Sequence, residues 1–146
     1  MVVIENSVLI ARPPEVVFDY LADLRHELEW NPQCRSMEKI SDGPIGLGTK
    51  FLAKWKQSPL IEVECTAFDR PRAWQYTNGG PLAVVFDVTL TPEDGGTRLS
   101  SHFVAQPLGP MKLIFPLVLR SLRRAEKNNM RYIKEALESA PTATRM

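Results

Sequence analysis

Apolar and polar positions divide the chain into segments of two different periods. Val2–Ala11 is rich in Val, Ile and Leu, interrupted by Glu5, Asn6 and Ser7, and reads as a strand. The period changes in ARPPEVVFDYLADL. Pro13 and Pro14 suit a helix entry, where the first N–H groups need no intrahelical partner, and Glu15 complements the N-terminal dipole. Val16, Val17, Tyr20, Leu21 and Leu24 follow at helical spacing. A second short helix over Arg25–Trp30 is expected to stop before Pro32, because a residue preceding proline avoids the α region.

From there the punctuation is that of an antiparallel sheet. Segments rich in β-branched and aromatic residues run over Arg35–Ser41, Thr49–Lys56, Ile61–Asp69, Arg72–Asn78, Leu82–Thr91 and Thr97–Ala105. The separators are DGPIGLG, QSP, DRPR, GGP and PEDGG. Asp94-Gly95-Gly96 supplies the positive φ angles that a tight hairpin needs. In FDVTLT, Phe86, Val88 and Leu90 share one face while Asp87, Thr89 and Thr91 share the other, so one face of the sheet is wet.

The chain ends in a long helix, expected over Leu117–Ser139 with Pro116 opening or kinking it. At about 100° per residue, Val118, Leu122, Ala125, Asn129, Tyr132, Ile133 and Ala136 form one stripe. Arg120, Arg124, Lys127, Arg131 and Lys134 form the opposite one. The order is strand, two helices, six strands, long helix, with the last helix covering the apolar face of the sheet. That is an α+β architecture in one domain over residues 1–140, with 141–146 as a flexible tail.

Composition narrows the function. The chain has 146 residues, 44% hydrophobic and 24% charged, enough to bury a core. Lys plus Arg number 18 against 17 Asp plus Glu, too balanced for a protein that coats nucleic acid. No apolar run reaches the roughly 18 residues of a membrane span. The N-terminal MVVIENSVLI lacks a basic n-region, so a cytoplasmic location is expected. Cys34 and Cys65 have no CxxC spacing and are expected as free thiols.

Several motifs, taken in order, resemble the START-like (SRPBCC, helix-grip) superfamily, in particular its polyketide cyclase/dehydrase and lipid-transport-like branch. They are SVLIARPPEVVFDYLADL, WNP at Trp30–Pro32, GPIGLGTKF at Gly43–Phe51, TAFDRPR at Thr66–Arg72, FDVTLTPEDGGTRLS at Phe86–Ser100, and the final helix. The resemblance implies a curved seven-stranded antiparallel sheet gripping the C-terminal helix, with an apolar cavity between them. It also implies that the second helix lies near the cavity entrance, with Trp30 and Pro32 where it meets the sheet. The superfamily hosts carriers, cyclases and regulators alike, so the resemblance speaks to fold before function.

Alternation places Phe51, Ala53, Trp55, Val63, Cys65, Trp74, Tyr76, Phe86, Val88, Ser101 and Phe103 on the inward side of the sheet. Met111, Phe115, Val118, Leu122 and Asn129 come from the helix. With Trp30, these are the expected ligand-binding residues, unless the aromatics simply fill the core. Asn129 is the one amide on an apolar stripe, and it either orients a ligand or makes a structural bond. His102 belongs to the outward set with Arg98 and Ser100, a poor place for a general base.

His26-Glu27 begins like the zinc box H-E-x-x-H, but Trp30 stands one turn on from His26, and the chain has only two histidines. No metal or cofactor is expected; general acid–base use of Glu27 or His26 at a cavity mouth stays open. DGPIGLG is a loop before a strand rather than a phosphate cradle.

The expected function is therefore binding of a small hydrophobic or amphipathic ligand. An aromatase/cyclase-type enzyme and a filled protein-interaction module are the alternatives. No nucleic-acid partner is expected, while the basic face of the last helix suits transient contact with an anionic membrane. No acid–base pair stands out on the inward faces, which ranks carrier above enzyme. A Tyr, His or Glu pair converging inside would favour the enzyme.

Overall fold

The computed structural model describes residues 1–56 and 58–139, so residue 57 of the QSP turn and the expected tail at 141–146 lie outside the described residues. The strands are β1 (Val2–Ile10), β2 (Cys34–Lys39), β3 (Lys50–Trp55), β4 (Ile61–Asp69), β5 (Ala73–Asn78), β6 (Leu82–Glu93) and β7 (Gly96–Pro107). The helices are α1 (Pro14–Leu21), α2 (Glu27–Trp30) and α3 (Met111–Ser139), with a single 3₁₀ turn at Leu24–His26. The strands form one seven-stranded antiparallel sheet in the order β1-β7-β6-β5-β4-β3-β2. This is the α+β helix-grip arrangement.

Register follows alternation. Phe86 pairs with Tyr76 and Phe103, and Val88 with Trp74 and Ser101, so each row of inward residues continues from strand to strand. Two register shifts bend the sheet, one in β2 between Cys34 and Ser36 and one in β4 between Cys65 and Ala67. Both buried thiols sit at these irregularities and point their Sγ across them, Cys34 to the Ser36 carbonyl and Cys65 to the Ala67 carbonyl.

The β6–β7 turn uses Asp94 and Gly95, with φ of 50° and 76°, as a two-residue hairpin closed by the Glu93–Gly96 pair. Gly96 is there for a different reason. A Cβ on it would stand 2.3 Å from the Ile10 carbonyl oxygen, so the end of β1 lies flat against it. Thr97 ties the same corner, its Oγ1 donating to the Arg12 carbonyl at 2.7 Å. Gly96→Ala should therefore destabilise by about 1–3 kcal/mol in urea unfolding, because the β1–β7 corner has to open. An unchanged midpoint would contradict this close approach.

α3 departs from expectation at its start. It begins at Met111, so Pro116 lies inside the helix rather than opening it. The entry is Gly109-Pro110, with Gly109 at φ 54° and i→i−3 bonds from Met111, Lys112 and Leu113 N–H to the Leu108, Gly109 and Pro110 carbonyls. Near the far end, the Glu138 carboxylate accepts from Ala11 N–H at 2.8 Å and from Lys134 Nζ at 2.6 Å. Lys134 Nζ also donates to the Leu9 carbonyl at 3.2 Å. α3 is thus fastened to the end of β1, and its close approaches to the sheet are to β1 and then β7.

Its buried residues are Phe115, Asn129, Met130, Ile133 and Leu137. Together with half-buried Leu119, Leu122 and Glu126 they form one line along the helix. The stripe is therefore rotated from the one expected through Val118, Ala125, Tyr132 and Ala136. Tyr132 is half-buried, with the Arg131 guanidinium over its ring at 5.1 Å.

Candidate ligand cavity and its carboxyl pair

The inner face of the sheet has a sealed half and an open half. Beneath α1 and the end of α3, the residues Ile10, Phe51, Ala53, Val63, Cys65, Trp74, Tyr76, Val88, Leu90 and Leu99 are all buried. Phe18 of α1 closes this half, meeting Phe68 and Trp74 edge-on with ring centroids 5.1 Å away in each case. Toward the β7–α3 connection, the inward residues Trp55, Val84, Phe86 and Phe103 are only half-buried. In the first half of α3, Met111, Val118, Leu119 and Leu122 are half-buried too. Side chains on the inner side of a covering helix that keep exposure mark a space the core does not fill.

The expected ligand-binding residues therefore divide. Phe51, Val63, Cys65, Trp74 and Val88 belong to the sealed half. The Tyr76 hydroxyl is already used, donating to the Ala22 carbonyl at 2.6 Å and tying the end of α1 to β5. The Ser101 hydroxyl lies within the β1–β7 seam, 3.4 Å from the Asn6 carbonyl. Trp55, Phe86, Phe103, Met111, Val118 and Leu122 border the open half, and Phe115 is buried at the base of α3. Trp30 packs half-buried against the core from α2. Asn129 is 7% exposed on the inner stripe and makes no hydrogen bond among the described residues.

The chemistry lies where α2 meets α3. Glu27 points inward from the first residue of α2, and its Oε1 accepts from Trp55 Nε1 and from Asn31 Nδ2, each at 2.9 Å. Burial pushes the Glu27 carboxyl above its ordinary value, while these two hydrogen bonds pull it back. Across from it, Glu126 of α3 is half-buried, with no hydrogen bond or ion pair among the described residues. Burial first, and then the Glu27 charge, push Glu126 up to about 8. The Cys34 thiol beside them is pushed up to about 12, by burial and then by the Glu27 charge, so it stays protonated and inert.

This pair corrects the expectation that no acid–base pair lies inside. Glu126 sits on the true inner stripe, four residues after Leu122 and four before Met130, a position that the expected stripe gives to Ala125. Glu27 is the inward group of LRHELEWNP, whereas His26 stacks on Tyr20 at 4.4 Å and its Nδ1 lies 2.6 Å from the Tyr20 carbonyl. His102 is on the outer face, 2.8 Å from Glu5 Oε2. Among the described residues no three His, Cys, Asp or Glu side chains converge to hold a metal ion.

Two hollows also mark the outer face of the sheet. One, of about 620 Å³, is bordered by Glu62, Glu64, Thr77, Val85, Val104 and Gln106; the other, of about 540 Å³, by Glu5, Ser7, Thr89, Ser100 and His102. Both are solvent-open troughs of a twisted sheet, lined largely by its wet face, and neither contains a strongly perturbed group. The seam between α2 and α3, with its two carboxyls, is the better candidate site.

Comparison with known proteins agrees with the fold. No curated protein matches the sequence. Among solved structures, protein TTHA0849 from Thermus thermophilus superposes with a TM-score of 0.74 at 19% identity, over 95% of this chain and 99% of its own. A conserved protein from Geobacillus kaustophilus gives 0.74 at 18% identity, over 95% and 97%. Ara h 8.0201 gives 0.66 at 20% identity, over 94% and 98%. These similarities show the SRPBCC, Bet v 1-like fold. The profile of one family, described as polyketide cyclase / dehydrase and lipid transport, matches residues 1–138, and the chain belongs to that family.

Proposed function

We propose that the protein binds a small amphipathic ligand between the sheet and α3, its apolar part against Trp55, Phe86, Phe103 and Leu122 and its polar end at Glu27 and Glu126. The observation that carries this is the carboxyl pair at the end of an incompletely filled apolar interior. Apolar contact supplies affinity at roughly 25 cal/mol per Å² of ligand surface removed from water, and the polar groups fix orientation. Native mass spectrometry of freshly purified protein, with extraction of co-purified molecules, tests it. A mass increment that extracts as an amphipathic small molecule is expected. Apo protein that also takes up no added alkyl or aromatic amphiphile would overturn the reading.

The same pair favours a second reading, a cyclase-type enzyme in this cavity. A carboxyl that keeps its proton near neutrality can act as a general acid, with Glu27 as its partner. Binding is common to both readings. Glu126→Gln would then abolish turnover while the ligand still binds.

The cavity mouth suits contact with an anionic bilayer. Leu113 and Leu117 at the start of α3 are 85% and 78% exposed. At about 100° per residue they line up with exposed Arg120, Arg124 and Lys127, an apolar tip below a basic band. Exposed Leu60 and Leu108 lie at the same end of the sheet. Co-sedimentation with vesicles containing anionic lipid is expected, and its loss in the Leu113→Asp/Leu117→Asp protein. Equal binding to neutral vesicles would contradict the electrostatic part.

A further inference from the structure

We propose that the polar end of this cavity takes the protonated amine of a cationic amphiphile, in preference to a carboxylate or a neutral hydroxyl. The inference rests on the ligand-binding reading above and names the head group that the site fits.

The seam has unfilled hydrogen-bonding capacity. Three side chains project from the seam, Glu27 from α2 and Glu126 and Asn129 from α3. Glu27 Oε1 is occupied by Trp55 and Asn31. Glu27 Oε2, both oxygens of Glu126 and the Asn129 side chain have no hydrogen-bond partner among the described residues. Asn129 is the independent observation. It is an amide only 7% exposed on the inner stripe, one turn from Glu126, and no protein group among the described residues satisfies it. Its amide atoms are not sealed off as the Trp74 indole nitrogen is, so they face a space that water or a ligand from outside the chain can reach.

What is missing is mainly donors and positive charge. Glu126 keeps its proton near neutrality while the seam is empty and gives it up when a cation binds; Glu27 Oε2, the Glu126 oxygens and Asn129 Oδ1 are then acceptors, whereas Asn129 offers one donor group. An ammonium brings three donors and no acceptor, which matches that surplus. A hydroxyl brings one donor. A carboxylate brings only acceptors and adds a negative charge beside that of Glu27. Charge points the same way. None of the ion pairs among the described residues includes Glu27 or Glu126. The cations of α3 nearest in sequence, Arg123, Arg124 and Lys127, are exposed. The titratable neighbours of Glu27 from the sheet are Cys34 and Tyr76, both held in their neutral forms, and the cation beside Cys34, Arg35, is exposed and donates to the Pro32 carbonyl. A bound ammonium would be the counter-charge that the fold leaves out, in an apolar setting where such a hydrogen bond is strong.

Three ligands of matched chain length test this by isothermal titration at neutral pH: decylamine, decanol and decanoate. Decylamine is expected to bind at least about tenfold more tightly than decanol, with decanoate weakest, since a charge-assisted hydrogen bond is worth about tenfold or more. Glu126→Gln should remove most of that preference, read as the ratio of decylamine to decanol affinity in the same variant. Decanol binding with no advantage for decylamine, or an advantage that survives in Glu126→Gln, overturns the amine assignment and leaves the cavity reading standing. Failure of all three ligands to bind overturns both.

Discussion

Glu126→Gln is expected to stabilise the folded protein, hardly at all at acidic pH and strongly at slightly alkaline pH. In the fold this carboxyl is pushed up to about 8, from an ordinary value of 4.5 that the unfolded chain would show. Between those two values the folded state holds a proton that the unfolded state has released. Stability must therefore fall as pH rises through that window, and the full loss is reached only above the folded value. At about 1.36 kcal/mol per unit the shift sets a ceiling near 5 kcal/mol. Residual access of solvent to the half-buried carboxyl reduces this, and about 2–3 kcal/mol is the expected difference. Glutamine keeps the shape and removes the titration, so it also relieves the repulsion on Glu27. Urea unfolding of both proteins at pH about 5 and pH about 8 checks this. Parallel stability profiles would mean that Glu126 is solvated and that the seam is not an interior.

The second large effect is expected at Phe18. Its ring is 1% exposed and meets Phe68 and Trp74 edge-on, both with centroids at 5.1 Å. α1 has eight residues, too few to hold a helix in water without docking. Val17, Phe18 and Leu21 are its buried residues, and Phe18 is the largest. Phe18→Ala should cost about 3–5 kcal/mol, from lost burial and the cavity left over Trp74. Near-UV circular dichroism and urea unfolding report it. A loss below about 1 kcal/mol would mean that α1 is not what closes the sealed half.

Much of this fold is legible in the chain because strand alternation is a strong signal. The inward rows through Phe51, Tyr76, Phe86, Val88 and Phe103 follow from a period of two, and Asp94-Gly95-Gly96 announces its own hairpin. Helix α3 is harder, for two physical reasons. Proline is tolerated near a helix start as well as at it, so Pro116 conceals a beginning at Met111. The phase of the expected stripe then rests on Ala125, Tyr132 and Ala136, which are weak votes, since alanine suits either face and tyrosine keeps its hydroxyl wet. Phe115, Leu119, Leu122, Met130, Ile133 and Leu137 define the true line, and Glu126 lies on it.

A polar residue on an apolar stripe is visible in the sequence at Asn129 and hidden at Glu126, because a stripe drawn through apolar positions first passes Glu126 by. Glu27 is hidden for another reason. Only the fold brings the first turn of α2 against Trp55, 28 residues away in the chain, and against the middle of α3. The His-Glu pair draws attention to His26, whose ring is occupied with Tyr20, while the residue beside it is the one that turns inward.

Ligand is expected to enter between the sheet and α3 and to end at the two carboxyls. The most direct measurement is a two-dimensional NMR titration of labelled protein with decanol, a ligand that carries no charge. Saturable shifts are predicted at Phe86, Phe103, Leu122, Glu126 and Asn129, with a Trp55 indole N–H resonance that moves as Glu27 is reached. Shifts confined to the outer face, around Thr77, Val85, Gln106 or His102, or no saturable shift at all, would contradict it.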